Sequence, residues 1–156
     1  MEHKSYVSPE TAKLLKQAGF DWMCSSLYGR EVRHEGVSID EDEEYELKAS
    51  GREDEIEYID GGAVYNIYND NNDPYCYSRP TLDVAQRWLR EIKGYHIAVF
   101  PESHYDKGIV YRFSIYNEDY DGRVCYSGHS GQAETYEEAQ EAGNKKALEI
   151  ILEKGK

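Results

Sequence analysis

The chain contains few cysteines, few prolines and no long apolar run. Its 156 residues include only 3 Cys, 4 Pro and 3 Phe. The odd number and wide spacing of Cys24, Cys76 and Cys125 give no disulfide framework and suit a reducing compartment. No segment approaches the roughly 18 consecutive apolar residues of a membrane span, and residues 1–11 lack the apolar core of a signal peptide. We therefore expect a cytoplasmic protein with no membrane partner.

Cations are also scarce, since 18 Lys and Arg residues oppose 31 Asp and Glu residues and leave a net charge of -13. Residues 35–60 hold twelve of these acids and only two cations, Lys48 and Arg52. A field of this sign repels nucleic-acid phosphates and anionic membranes. Direct binding of nucleic acid is therefore not expected. Two groups of cations could still supply a local basic patch: Lys145 with Lys146, and Arg87 with Arg90 and Lys93. Solvated helix faces explain both groups better.

Tyrosine, in contrast, is abundant. The sequence has 15 Tyr and an aromatic fraction of 13%. A tyrosine buries a large ring while its hydroxyl stays in water, so this composition suits a partly solvated sheet or a recognition surface. The four tyrosines predicted to contribute to a binding surface are Tyr65, Tyr68, Tyr75 and Tyr77.

The first half of the chain predicts one helix followed by acidic strands. Ser8 can cap a helix that starts at Pro9 and leaves through Gly19, and its predicted apolar face consists of Thr11, Leu14, Leu15 and Ala18. In residues 38–62 an apolar residue recurs at every second or third position. This spacing predicts strands over 45–49 and 56–68, with carboxylates on the solvent side and a turn at Gly61 and Gly62.

The second half predicts the order helix, three antiparallel strands, helix. The middle helix ends at Gly94, and its apolar stripe consists of Leu82, Ala85, Trp88, Leu89 and Ile92. Residues 95–100, 108–116 and 123–128 have strand character, and one face of the longest strand carries Ile109, Tyr111, Phe113 and Ile115. Thr135 and Glu138 form a capping box at the start of the last helix. Its predicted buried face consists of Tyr136, Ala139, Ala142, Gly143, Ala147, Ile150 and Ile151.

These elements predict an α+β fold in which antiparallel sheet packs with about three helices. The length favours one domain over residues 1–156. Residues 1–78 form its helix and acidic β-rich half, and residues 79–156 form its α-β-β-β-α half.

No stretch carries a specific catalytic or metal-binding motif. Asn117, Asp119, Asp121 and Gly122 match the start of a calcium loop, but position twelve is Gly128 instead of a bidentate Glu. A turn between strands explains this segment better. Cys125 lies near His129 without a nucleophile signature, and it is better interpreted as a small buried hydrophobe. We therefore predict a non-enzymatic protein with no metal and no cofactor.

The run GRVCYSGHSGQAETYEEAQEAGNKKALEIIL and the element order over residues 80–152 resemble the double-stranded-RNA-binding domain. The resemblance implies the same α-β-β-β-α topology. That family contacts phosphates with lysines at the start of its last helix, where this chain has Tyr136, Glu137, Glu138 and Gln140. Because carboxylates would repel phosphates, the topology is expected without the RNA binding.

Three further segments, residues 6–24, 79–99 and 134–149, resemble short uncharacterised proteins encoded by phages and mobile elements of gut bacteria. This resemblance implies a genomic setting, a bacterial host cytoplasm and a host-directed accessory role. It implies no chemistry.

The leading functional hypothesis is a binding protein that engages a host protein through an acidic, tyrosine-rich surface. A sharper version is nucleic-acid mimicry or inhibition of a defence protein, in which carboxylates occupy the basic groove of a nucleic-acid-binding protein. The predicted acidic surface consists of Glu41, Asp42, Glu43, Glu44, Glu53, Asp54 and Glu55. Four alternatives stay open: acidity that serves only solubility, an enzyme that uses scattered Asp, His and Tyr, a degenerate double-stranded-RNA-binding-like module, and a protein that sequesters a small nucleotide through Arg79, Arg112 and Arg123.

Overall fold

Runs of antiparallel strands separate the three described helices, which is the pattern of an α+β protein. The computed structural model describes residues 5–22, 24, 27–30, 47–50, 58–59, 62–63, 76–120, 124–127 and 132–155. Within these residues the helices are α1 (Pro9–Gln17), α2 (Leu82–Lys93) and α3 (Tyr136–Lys154). The strands are β1 (Leu27–Arg30), β2 (Leu47–Ser50), β3 (Tyr58–Ile59), β4 (Gly62–Ala63), β5 (Cys76–Ser78), β6 (Tyr95–His104), β7 (Gly108–Asn117) and β8 (Val124–Ser127). The predicted fold class is confirmed.

The first two helices begin and end where their capping residues predict. Ser8 Oγ accepts a hydrogen bond from the Thr11 amide at 3.2 Å, directly before Pro9. The side chain of Thr81 caps α2 in the same way, and Gly94 ends that helix with φ of 73°. Such a left-handed φ suits glycine, which has no Cβ to clash with the preceding carbonyl.

The capping box of α3 is only half formed. Thr135 Oγ1 accepts from the Glu138 amide at 3.1 Å, as predicted. Glu138 Oε2, however, accepts from the amide of Glu134 at 3.1 Å. The Glu138 carboxylate thus binds the amide of the residue before the cap. This hydrogen bond holds the chain that precedes α3 against the first turn of the helix.

The first half contributes two small antiparallel sheets. One has the strand order β2-β1-β5, and the other is the β3-β4 hairpin. Strand β2 confirms most of the strand predicted over 45–49. Ile59 pairs with Gly62, so Gly62 already lies in β4. The prediction that Gly62 belongs to the turn is therefore wrong, while Gly61 and the rest of the strand predicted over 56–68 lie outside the described residues.

The second half forms the predicted α-β-β-β-α unit around an antiparallel sheet of order β6-β7-β8. Strands β6 and β7 pair along ten residues each, from Tyr95 opposite Asn117 to His104 opposite Gly108. Among the described strands, β6 is an edge of this sheet, and the Ile97 carbonyl accepts from Gln86 Nε2 of α2 at 2.8 Å. Backbone groups point alternately to the two sides of a strand, so Pro101 has the same orientation as Ile97, four residues earlier. The missing N–H of Pro101 therefore removes no hydrogen bond to β7, and it leaves one donor fewer on the outer edge of the sheet.

One hydrophobic core joins both halves of the chain. Its largest buried side chain is Trp88, which is 1% exposed and whose ring meets the Phe20 ring edge-on at 5.4 Å. The core also contains Val7, Ala12, Leu15, Tyr28, Leu82, Ala85, Leu89, Tyr95, Ile97, Phe113, Ile115, Ala147 and Leu148. Helix α1 therefore packs on the second half, while the single domain over residues 1–156 stays a prediction.

Several predicted core positions are exposed. Ile92 is 55% exposed in the last turn of α2, and Ile109 is 60% exposed at the start of β7. On α3, Tyr136 and Ala142 are exposed. The buried face of that helix instead consists of Ala139, Gln140, Gly143, Asn144, Ala147 and Leu148.

Two buried polar residues explain why the buried face of α3 differs from the prediction. Gln140 Nε2 donates to Asp83 Oδ1 and to Gln86 Oε1, both at 2.7 Å. Asn144 Nδ2 donates to the Leu82 carbonyl at 3.2 Å. Because their amide donors find partners on α2, much of the cost of burying these side chains is offset. The Asn144 Oδ1 has no hydrogen-bond partner among the described residues and still carries a desolvation penalty. An apolar pattern cannot detect such positions.

Candidate protein-binding surface

The β6-β7 hairpin extends past the helices that cover its first half. Phe113 lies under α3, where its ring approaches the Cα of Gly143. Side chains two residues apart share a sheet face, so Tyr111 and Ile109 continue the same face towards the turn. Their cross-strand partners there are Pro101 and Ser103, and both are exposed. The end of the hairpin therefore presents an apolar sheet face without a helix of the described residues above Ile109.

The start of α3 borders this uncovered face. The Tyr111 amide donates to the Ala133 carbonyl at 2.8 Å, and the Ala133 amide donates back at 3.0 Å. Three residues further on, the Tyr136 ring meets the Tyr111 ring edge-on at 6.0 Å. Tyr136 is 41% exposed. The two tyrosines and Ile109 thus form one partly solvated apolar patch.

Carboxylates border this patch. Glu134, Glu137 and Glu138 are all exposed, and the last two belong to the first turn of α3. The partial positive charge at a helix N-terminus stabilises carboxylates at these positions. Asp106 and Lys107, in the turn of the hairpin, carry opposite charges. We call the set Ile109, Tyr111, Tyr136, Glu134, Glu137 and Glu138 the overhang surface.

The other predicted binding residues are mostly not described by the structure. The seven carboxylates Glu41, Asp42, Glu43, Glu44, Glu53, Asp54 and Glu55 lie outside the described residues, as do Tyr65, Tyr68 and Tyr75. Tyr77 lies in β5 opposite Tyr28 of β1, is half-buried and packs against the core. The Lys16 ammonium lies 4.9 Å from the centre of its ring. The structure therefore places Tyr77 at the border between core and surface.

The two described arginines that the sequence offered for a nucleotide pocket each have their own partner. The Arg79 guanidinium lies 3.8 Å from the Tyr6 ring centre and 5.4 Å from that of Tyr28. Arg112 forms an ion pair with Glu102 on the neighbouring strand. Arg123 lies outside the described residues. Arg79 lies directly after β5, whereas Arg112 lies in the middle of β7, which belongs to a different sheet from β5.

The two basic patches are also partnered. Lys145 Nζ contacts Glu10 Oε2 at 2.6 Å, and this hydrogen bond holds the pKa of Glu10 below its usual value and the pKa of Lys145 above its own. Lys146 lies over the Tyr126 ring and Lys93 over the Trp88 ring, at 4.8 and 5.5 Å. Arg87 pairs with Glu91 at 3.0 Å. These contacts match the interpretation of both patches as ordinary helix faces.

The segment that resembles a calcium loop begins as a side-chain turn. Asn117 is buried, and its Oδ1 accepts from the Asp119 amide at 3.0 Å. Asp121, Gly122 and Gly128 lie outside the described residues. Across the part of the chain that the structure describes, no three His, Cys, Asp or Glu side chains are grouped for a metal ion.

Cys125 is half-buried against the core, and this burial raises the pKa of its thiol. A raised pKa keeps the thiol protonated at neutral pH, which lowers its reactivity.

Sequence reasoning missed three contributors to the overhang surface. Ile109 was assigned to the buried face because it alternates correctly with Tyr111 and Phe113, and Tyr136 was assigned to the buried face of α3. Glu134 was not considered because it precedes the helix. No local signal marks Ile109 as exposed, because its alternation with Tyr111 and Phe113 is regular.

No protein-family model, curated protein or solved structure matches the chain. None of the helices in the described residues combines the length and the hydropathy of a membrane span. The functional proposal therefore depends on the geometry and charge of the chain itself.

Proposed function

We propose that the chain is a non-enzymatic accessory protein of phage or mobile-element origin that engages a host protein through an acidic, tyrosine-rich surface. The observation that carries this proposal is the first turn of α3. There, exposed Glu137 and Glu138 stand beside exposed Tyr136, whose ring contacts Tyr111. Tyrosine is enriched at the energetic centres of protein interfaces, and carboxylates set the sign of the partner.

The sign of the charge supports a protein partner over a nucleic acid. The net charge of -13 repels phosphates at long range. At short range, Glu137 and Glu138 lie at the start of the last helix, where the double-stranded-RNA-binding domain has the lysines that contact phosphates. Lys145 and Arg87, which could have supplied a local basic patch, are paired with Glu10 and Glu91.

Nucleic-acid mimicry is the sharper version of this proposal. The acids of residues 41–55 and those at the start of α3 would together imitate phosphates and occupy the basic groove of a host nucleic-acid-binding protein. Such complementarity would mainly speed association and select the partner. The cytoplasm of the bacterial host is the compartment that this proposal implies.

Capture from host lysate at low salt tests the proposal. The full chain is compared with a variant in which Glu41, Asp42, Glu43, Glu44, Glu53, Asp54 and Glu55 become Gln or Asn, and with the variant E137Q/E138Q. Selective loss of a nucleic-acid-binding protein from either variant supports the proposal. Identical captured sets would instead assign the acidity to solubility. Direct binding of double-stranded RNA by the wild type would favour the double-stranded-RNA-binding-like alternative.

A further inference from the structure

We propose that the overhang surface binds a cationic amphipathic segment of the partner protein. In this complex, apolar side chains of the segment cover Ile109, Tyr111 and Tyr136, and its Lys or Arg side chains lie beside Glu134, Glu137 and Glu138. This inference rests on the proposed function, because it specifies the chemistry of the partner at one part of the acidic, tyrosine-rich surface.

The end of the β6-β7 hairpin provides the apolar contacts for such a segment. Residues of β6 and β7 near the sheet centre are covered by α3, whereas Ile109 is 60% exposed on the same face. Tyr111 and Tyr136 extend this patch to the first turn of α3. A segment that packs here continues the helical layer and removes the exposed apolar area from water, which is favourable.

The carboxylates beside the apolar patch determine which charge the bound segment must carry. A helix N-terminus by itself attracts anions. Here Glu137 and Glu138 already occupy the first turn, and Glu138 Oε2 accepts from the Glu134 amide. An acidic segment would meet three exposed carboxylates at the border of the patch, whereas Lys or Arg side chains would be attracted to them. A second copy of this chain is disfavoured for the same reason, since its own overhang surface carries the same charge.

Defined peptides can test this binding on the isotopically labelled full chain by NMR. We would titrate an 18-residue helical peptide of Leu and Lys with one apolar face, and two control peptides in which Ser replaces Leu or Glu replaces Lys. We expect the Leu/Lys peptide to shift the amides of residues 109–111 and 133–138. The Ser/Lys peptide should bind about tenfold more weakly, the scale of losing an interface hot spot, and the Leu/Glu peptide should leave these amides unshifted.

Matched variants separate this surface from general acidity. E134Q/E137Q/E138Q removes three carboxylates of the overhang surface, and E91Q/E149Q/E153Q removes three exposed carboxylates elsewhere. Ile109→Ser removes the exposed apolar side chain, and Ile92→Ser is its control, because Ile92 is 55% exposed at the end of α2. We expect the overhang variants to weaken peptide binding about tenfold and the controls to change it less than twofold. Equal losses in both sets, or shifts that map elsewhere, would overturn the inference.

The two proposals fail in different ways. If the overhang variants leave peptide binding unchanged while the seven-carboxylate variant still loses its captured host protein, the proposed function stands and this inference is wrong. If the peptide maps to the overhang surface while host capture is identical for all variants, the surface binds cationic segments and the proposed host-directed function is wrong.

Discussion

Gly143 of α3 lies directly against Ile97 of β6. A Cβ placed on Gly143 would come within 2.7 Å of Ile97 Cγ2 and within 3.3 Å of the Phe113 ring. Real Cβ atoms do not approach a neighbour so closely, and Ile97 is itself a buried core residue. The missing side chain of Gly143 therefore sets the distance between α3 and the sheet, and so also positions the start of α3 beside the overhang surface.

We predict that Gly143→Ala destabilises the protein despite the better helix propensity of alanine. Overpacking a core costs about 1 to 3 kcal/mol, and the propensity gain offsets about 1 kcal/mol of it. Urea denaturation should show a net loss of up to about 2 kcal/mol in the free energy of unfolding. In Gly155→Ala the new Cβ meets only backbone oxygens at 3.7 Å, so this control should keep its stability. If Gly143→Ala were more stable than wild type, the close packing described above would be wrong.

We predict that Trp88→Ala lowers the free energy of unfolding by about 3 to 5 kcal/mol, because it removes a large buried ring from the core. Trp88 is 1% exposed and contacts Phe20 edge-on. Ile92→Ala, in the same helix at an exposed position, should change stability by less than about 0.5 kcal/mol. Thermal or urea denaturation of both variants measures the difference. Melting of Trp88→Ala within a degree or two of wild type would contradict the assigned core.

Local signals made the helix ends predictable, whereas tertiary contacts decided which residues are buried. Ser8 and Thr135 are predictable as caps because a cap depends on residues only three positions away. Gln140 and Asn144 could not be predicted as buried, since their partners lie on α2, more than fifty residues earlier in the sequence.

The overhang surface was unpredictable for a related reason. The exposure of Ile109 depends on where the first turn of α3 lies along β7, and no property of the strand sequence encodes that position. Its acidic border was easier to anticipate, because Glu137 and Glu138 directly follow the predicted cap Thr135 in the first turn of α3. The predicted carboxylate sites at residues 41–44 and 53–55 lie outside the described residues and stay predictions.

Glu141 should anchor α1 to α3. Its Oε1 accepts from the Ser8 amide at 3.1 Å and from the hydroxyls of Ser8 and Thr11, each at 2.5 Å. Because Thr11 is fully buried, Glu141→Ala leaves its hydroxyl without this acceptor, at a cost of about 1 to 3 kcal/mol. Hydrogen exchange should accelerate at α1 amides more than at those of the β6-β7 hairpin. Glu141→Gln, which keeps an acceptor oxygen, should show a smaller effect, and equal effects of the two substitutions would exclude this role.

The Glu10–Lys145 pair should give a small pH-dependent stabilisation. The pKa of Glu10 is lowered from 4.5 by its hydrogen bond to Lys145, so its contribution is present above that value and is lost as the pH falls through the folded-state pKa. The pKa of Lys145 is raised from 10.5 by Glu10, so its contribution is present below that value and is lost at still higher pH. Wild type should therefore exceed Glu10→Gln in stability between these limits.

Both side chains of this pair are exposed, so the difference should be small and should shrink with added salt. Denaturation midpoints of wild type and Glu10→Gln, measured from acid to alkaline pH at two salt concentrations, check the effect. A stability difference that persists at pH 2 would show that Glu10 acts through packing instead of charge.

The last prediction concerns what the acidic residues do in binding. If the seven carboxylates at residues 41–55 and the acids of α3 attract a basic partner, they should act mainly on the association rate, because long-range attraction speeds encounter. Once a captured partner is identified, surface plasmon resonance of the seven-carboxylate variant should show slower association with a nearly unchanged dissociation rate. The wild-type rate should fall with salt, since screening at about 0.15 M limits electrostatic attraction to about 8 Å. The variant should be much less sensitive to salt. Overlapping salt dependences for the two proteins would show that these carboxylates do not steer the partner, whereas a faster dissociation would place them in direct contact with it.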